Sequence, residues 1–248
     1  MNYYILIAAA VAPELSTLAS MISMPVSAVI GGRKVLSGKI NDTCVKLLNT
    51  GPGIANTVQA LTATIEDLRP SLIIQTGCAG AFKESGFHIG DIGIATREID
   101  VYVGIETETG GFPLQDLPFW VISQAHMKIK NSYPVSPTLV ELAFNTLQET
   151  CAGKRVGLKK GPFVTVPTIT ATCKTARSLF SRYKAVMENM EGAGSAHVSM
   201  HYQIPFLEIR SASNMVGKRD TSLWDLPLAF KRASEAIFEL VQKLPHYI

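Results

Sequence analysis

The chain has 248 residues, 47% of them apolar and 17% charged, with a formal net charge of +3. That is the composition of a globular protein, long enough to bury roughly 70–75% of its unfolded surface without a disulfide or metal staple. The small charge and the lack of a Lys/Arg cluster with interleaved aromatics argue against nucleic acid as a partner, and no apolar run reaches the ~20 residues of a membrane helix.

Tyr3 to Ala9 reads as a buried strand. The run Ile5 to Ala12 is too short for a secretory signal, has no Lys or Arg before it, and enters Pro13-Glu14. A short helix is predicted over Glu14 to Met21. Lys34 to Ile40 and Cys44 to Asn49 read as a hairpin turning at Asn41-Asp42. Gly51-Pro-Gly53 breaks the chain before a helix over Ala55 to Leu68. Ser71 to Gln75 is a continuous apolar strand, with Thr76-Gly-Cys-Ala-Gly80 as a tight loop at its end. Asp91 to Thr96 reads as a strand and Asp100 to Val103 as a further candidate. Gly104 to Pro118, polar and rich in Gly and Pro, is expected to be a mobile loop.

In the second half, Pro137 to Thr150 has helical spacing and Arg155 to Val166 reads as one or two strands. A helix over Thr175 to Tyr183, a strand over Ala185 to Met190, a helix over Gly192 to His201 and a strand over Phe206 to Ser211 follow. The last helix has Ser222 and Asp225 as a capping box and Ala229, Ala233, Ala236, Ile237, Leu240 and Leu244 on one face. Apolar strands separated by helices predict a three-layer α/β fold with helices on both faces of the sheet. There is no linker, charge block or repeat, so residues 1–248 are expected to form a single domain. Cys44, Cys78, Cys151 and Cys173 show neither CxxC nor zinc spacing and read as free thiols in a reducing compartment, which makes a cytoplasmic location the expectation.

Ligands in open α/β sheets gather at the carboxyl ends of strands. Three candidate segments lie there: the 76–80 loop, Glu191 and Asn214. Small residues at Gly77 to Gly80 let a backbone approach a ligand closely, or equally let a turn pack against a helix. Cys78 has no evident partner base and reads as core rather than nucleophile. Gly51-Pro-Gly53 lacks the Lys of a P-loop and reads as a structural turn. His197 and His201 share a helix face, but Val198 stands where a zinc protease has Glu, so they read as packed or solvated. Glu191 is harder to dismiss. It sits among Met190, Gly192, Ala193 and Gly194, where a carboxylate needs partners, and vicinal sugar hydroxyls would serve. Glu14, by contrast, needs no role beyond complementing a helix N-terminus.

Gly51-Pro-Gly-Ile-Ala-Asn56, Thr76-Gly-Cys-Ala-Gly-Ala-Phe82, Gly90-Asp91, Asn189-Met-Glu-Gly-Ala193 and Ile209-Arg-Ser-Ala-Ser-Asn214 occur in that order. With them the chain resembles the 5'-methylthioadenosine/S-adenosylhomocysteine nucleosidases, and within that superfamily it is most similar to the futalosine hydrolases. The resemblance covers nearly the whole chain. It implies a central mixed sheet, partly barrel-like and flanked by helices, and a homodimer or higher homo-oligomer whose partner loop, here Gly104 to Pro118, closes each site. It implies hydrolysis of the N-glycosidic bond of a small-molecule purine nucleoside, with no metal and no organic cofactor. By the same resemblance Glu14 activates water, Glu191 holds the ribose hydroxyls and Met190 packs under the ribose. Arg210 buttresses Glu191, Phe163 stacks on the base with Val164 beside it, and Cys78 and Gly80 line the anomeric side. Ser213 lies next to the base-facing position 214.

Adenine-specific members carry Asp where this chain has Asn214. An amide offers a donor to O6 and an acceptor to N7–H of hypoxanthine. Asn214 thus favours a 6-oxopurine and futalosine, and Arg219 or Lys218 is expected to pair with the carboxylate of the aglycone. Phosphorylases of the superfamily have a phosphate-binding Arg after the first strand. This chain has none in Ala8 to Glu14, so water is the expected nucleophile. The alternatives are an adenine-releasing nucleosidase acting on methylthioadenosine, S-adenosylhomocysteine or aminofutalosine, and a non-catalytic nucleoside-binding protein.

Overall fold

A computed structural model describes residues 3–108, 114–124 and 127–244. The elements run β1 (Ile5–Ala9), α1 (Ala12–Met21), β2 (Ser23–Ile30), β3 (Arg33–Ile40), β4 (Thr43–Asn49), α2 (Ile54–Asp67), β5 (Leu72–Ala81) and β6 (Ile92–Asp100). Then come β7 (Ile122–Gln124), β8 (Met127–Ile129), β9 (Ser132–Pro134), α3 (Pro137–Gly153), β10 (Leu158–Thr165), α4 (Cys173–Tyr183), β11 (Met187–Asn189), α5 (Gly192–His201), β12 (Phe206–Met215) and α6 (Leu226–Lys243).

β1 is apolar and buried throughout because it lies between parallel neighbours, β4 and β5. The sheet order is β11-β10-β6-β12-β5-β1-β4-β3-β2, and β11 also pairs with β5. That second pairing closes β5, β12, β6, β10 and β11 into a ring, so the mixed sheet is a barrel at one end and open at the other. Helix α6 packs on β5, β12 and α1, whereas α5 packs on α2 and against β6, β10 and β12. This is the expected α/β sheet flanked by helices.

Three local expectations are corrected, and one strand was not anticipated. Thr76 to Gly80 is not a loop but the second half of β5, paired with β12 on one side and, at Gly80 and Ala81, with β11 on the other. Its small residues belong to a crowded strand, not to a turn. Ser222 is not part of a capping box: Asp225 alone caps α6, accepting from Leu228 N at 2.9 Å, and Ser222 is bonded to Asp220. Val101 to Val103 forms a turn after β6 rather than a strand. The exposed strand β2 was not anticipated; it contains Pro25, which an edge position tolerates because the missing N–H is not needed there. Residues 109–113 of the Gly104 to Pro118 loop lie outside the described residues. The flanks of that loop are joined by a bridge in which Ile105 and Gln115 exchange backbone hydrogen bonds of 2.8 and 2.9 Å. No helix among the described residues is long and apolar enough to cross a membrane.

Candidate active site

The barrel mouth brings together the carboxyl half of β5, the end of β11, the end of β12 and the first turn of α1. Eight of the predicted site residues border one cavity of about 190 Å³ there: Glu14, Cys78, Gly80, Met190, Glu191, Arg210, Ser213 and Asn214. A larger hollow between α1 and the β2–β3 hairpin is walled mainly by Leu15, Ala19, Val29, Val35 and Leu36 and gathers no carboxylate. The chemistry lies at the smaller one.

Glu14 is 2% exposed. Its Oε1 accepts from Cys78 N at 2.9 Å and its Oε2 from Val11 N at 3.0 Å, so the carboxylate is anchored by two backbone donors. Burial raises its pKa, while Arg210 and the two N–H groups oppose the rise. The group is a fixed acceptor with a proton affinity above that of a free glutamate, the condition a general base needs. Burial and the Glu14 charge push the Cys78 thiol up to about 12, so it is a neutral wall and not a nucleophile.

Glu191 lies two residues past the end of β11 and is the N-cap position of α5, but its side chain does not cap its own helix. Asn189 does that, its Oδ1 accepting from Glu191 N at 3.0 Å and Gly192 N at 2.8 Å. The Glu191 carboxylate turns to Gly53 N at 2.9 Å, at the start of α2, and to Arg210 Nη2 at 3.2 Å. Gly51-Pro-Gly53 is therefore more than a turn: the helix N-terminus it opens takes an anion, and the anion is Glu191.

Arg210 is 1% exposed and all its contacts are internal. Nε donates to Glu208 Oε1 at 2.7 Å and Nη1 to Cys78 O at 3.0 Å. Behind it stands a second buried acid, Glu98, which accepts from Asn189 Nδ2 at 2.6 Å and from Thr165 Oγ1 at 2.7 Å. Burial and the charge of Glu208 raise the pKa of Glu98 well above the usual carboxylate range. Glu208 Oε2 is buried with no hydrogen-bond partner among the described residues. A Cβ at Gly192 would fall 2.3 Å from Glu98 Oε1 and 2.5 Å from Glu208 Oε2, so glycine is what lets the pair sit under α5. Neither Glu98 nor Glu208 was singled out from sequence, and Asn189 entered only as the first residue of the Asn189–Ala193 motif, because single polar residues inside strands carry no periodic signal.

β12 shifts register against β5 between Ala212 and Asn214. The bulge falls at Ser213 and turns both side chains to one region: Ser213 Oγ donates to Asn214 Oδ1 at 2.8 Å. The Asn214 amide thus has its oxygen fixed and its Nδ2 held only by a 3.3 Å bond to Met215 O.

Three of the expected site residues, Phe163, Val164 and Arg219, lie off the cavity. Phe163 and Val164 are fully buried inside β10, paired with β11 and β6, and do not border the cavity. Val166 and Ile169, just past the end of that strand, take the wall position. Arg219 does not line the cavity either. Its guanidinium stacks over Trp224, 5.4 Å from the ring centre, and Trp224 does line it. Glu188, Trp224 and Leu226 are lining residues the sequence reading missed. His197 meets Tyr133 and His201 meets Gln124, and among the described residues no group of three His, Cys, Asp or Glu side chains could hold a metal.

A model of the phosphorylase superfamily matches residues 4–244. The chain belongs to that superfamily. Within it, the 5'-methylthioadenosine/S-adenosylhomocysteine nucleosidase of Haemophilus ducreyi is 30% identical over 239 residues, covering 94% of each chain. The futalosine hydrolase of Streptomyces coelicolor is 29% identical over 180 residues, 72% of this chain and 68% of its own. The crystal structure of the Neisseria meningitidis nucleosidase in complex with methylthio-immucillin-A superposes with a TM-score of 0.83 at 19% identity, over 98% of this chain and 100% of that one. The superfamily fold is the partly closed barrel described above. The chain is an enzyme of this superfamily, a nucleosidase that cleaves N-glycosidic bonds, and the non-catalytic alternative is set aside.

Proposed function

We propose that this nucleosidase hydrolyses futalosine, releasing hypoxanthine and dehypoxanthinyl futalosine for menaquinone synthesis. The observation that carries the reading is Asn214 on the cavity wall with its oxygen set by Ser213. An amide donates from Nδ2 to O6 and accepts N7–H at Oδ1, the pattern of departing hypoxanthine. A mismatched base leaves buried polar groups unpaired, at roughly 1–3 kcal/mol each.

In the proposed reaction the ribose hydroxyls bond to Glu191, whose charge also faces the developing oxocarbenium ion. Arg210 shares its charge between Glu191 and Glu208 and holds Glu191 in place. Glu14 takes a proton from the water that attacks the anomeric carbon, and the base leaves as N7 takes a proton from solvent, the new N7–H donating to Asn214 Oδ1. Trp224 and Arg219 supply an aromatic face and a cation beside the cavity, which suits an aryl carboxylate on the aglycone. The enzyme acts on this reading as a cytoplasmic homodimer, with the loop bridged at Ile105 and Gln115 reaching a neighbouring site.

The relatives support a second reading, adenine release from methylthioadenosine or S-adenosylhomocysteine. The Haemophilus relative bears that name, as does the Neisseria enzyme whose structure is in complex with methylthio-immucillin-A. The test is turnover of futalosine in phosphate-free buffer with product analysis. Free hypoxanthine and an unphosphorylated sugar product are expected. Turnover only after phosphate is added, with a sugar 1-phosphate as product, would instead make the enzyme a phosphorylase.

A further inference from the structure

Glu188 borders the same cavity as Asn214 and has no part in the reaction above. It is 7% exposed, and among the described residues no Lys or Arg forms an ion pair with it. Its place follows from the sheet. Glu188 pairs with Gly80 across β11 and β5, and Asn214 pairs with the same Gly80 across β12 and β5. The three residues form one row, with the glycine in the middle. Adjacent strands are about 4.8 Å apart, so the backbones of Glu188 and Asn214 are roughly 10 Å apart, room for one planar bicyclic base between their side chains. Gly80 adds no side chain to the floor of that slot, and a Cβ there would stand 2.9 Å from Val216 Cγ2 and 3.3 Å from Asn214 Nδ2, so a valine methyl and the amide both lean over the glycine.

The Glu188 carboxylate is held from outside the slot. Thr170 N donates to Oε1 at 3.1 Å, and Thr170 Oγ1 donates to Oε2. One residue thus fixes both oxygens, and each keeps an unused lone pair. Burial raises the pKa of Glu188, and the two Thr170 bonds counter it.

We propose that Glu188 is a second base-reading residue, accepting the N1–H of a 6-oxopurine on the side of the slot opposite Asn214. The inference rests on the 6-oxopurine reading and adds a second atom to it. Hypoxanthine carries a proton on N1, whereas adenine presents a bare N1 whose lone pair would face the carboxylate. Asn214 and Glu188 then reject adenine independently, one at position 6 and N7, the other at N1.

The test is calorimetric binding of three free bases, hypoxanthine, 1-methylhypoxanthine and adenine, to the wild-type protein and to Glu188→Gln. The wild type is expected to bind hypoxanthine at least tenfold more tightly than either of the others. Glu188→Gln is expected to weaken hypoxanthine about tenfold, the difference between a charge-assisted and a neutral hydrogen bond, and to leave 1-methylhypoxanthine unchanged. Equal loss for both 6-oxo bases would show that Glu188 only clamps the Thr170 segment and would overturn the proposal. Wild-type protein binding hypoxanthine and 1-methylhypoxanthine alike, both ahead of adenine, would overturn it without any variant and leave the 6-oxopurine reading standing. A wild-type preference for adenine would instead remove that reading, and the proposal with it.

Discussion

Glu14 and Gly77 share one space: a Cβ on Gly77 would stand 2.3 Å from Glu14 Oε1. Gly77 also has φ of +133°, which L side chains rarely adopt. The strand is therefore built around the carboxylate, and its next residue, Cys78, donates a backbone N–H to it. Gly77→Ala is predicted to cost roughly 2–4 kcal/mol from overpacking and backbone strain and to displace Glu14. Denaturant unfolding and turnover should both fall; full activity in Gly77→Ala would show that Glu14 can work from another position.

The raised pKa of Glu14 sets an acid limit on activity. A general base must be ionised, so kcat/KM is predicted to fall as pH drops through a value above the ordinary glutamate range of about 4.3. Glu14→Gln is predicted to lower kcat by about 10²–10⁴ and to remove that limb from the residual rate. A limb unchanged in Glu14→Gln would assign it to another group.

Asn214→Asp replaces an amide by a carboxyl group that can donate to N7 only when protonated. The hypoxanthine-to-adenine preference is predicted to fall by roughly 10–100-fold, as one or two buried bonds change sense. An unchanged ratio of the two kcat/KM values would mean that the side chain does not face the base.

Glu98 carries a raised pKa in the folded state, so its stabilising contribution is complete below the unfolded value and is lost as pH rises through the folded one. As pH rises through the folded value that proton is lost, and the buried pair with Glu208 is left holding two negative charges. Glu98→Gln removes that titration. The stability of wild type relative to Glu98→Gln is predicted to decline from about pH 4.3 upward, measured by urea unfolding across the range. Parallel stability curves would show that Glu98 is not the titrating group.

Arg219 tests the aglycone. Arg219→Ala is predicted to raise KM for futalosine about tenfold or less, the scale of an exposed charge contact, and to leave inosine, which lacks the carboxylate, unaffected. Equal effects on both substrates would mean that the Arg219–Trp224 stack supports the pocket wall only.

What was legible in the sequence depended on how each residue signals. β1 and the apolar half of β5 are buried on both faces and read as continuous apolar runs. α6 has a clean apolar stripe, and its predicted face is the buried one. Glu191 stood out because a carboxylate among glycine and alanine is costly without partners, and the partners proved to be Gly53 and Arg210. Other features were hidden. The glycines at 77 and 80 looked like a turn, because the demand that keeps them small comes from Glu14, Val216 and Asn214, distant in sequence. Phe163 looked like a stacking residue, but strand pairing with Met187 and Glu98 places it inside the barrel. Glu188 and Glu98 are polar residues in strands whose neighbours supply their hydrogen bonds, and nothing local in the chain announces that.

The central claim is that the site is built for a 6-oxopurine. Its most direct test is a competition: equimolar futalosine and methylthioadenosine in one phosphate-free reaction, with released bases separated by chromatography at low conversion. The account predicts hypoxanthine in large excess. Adenine in excess, with futalosine left intact, would contradict it and make this an adenine-releasing nucleosidase with an asparagine in the base site.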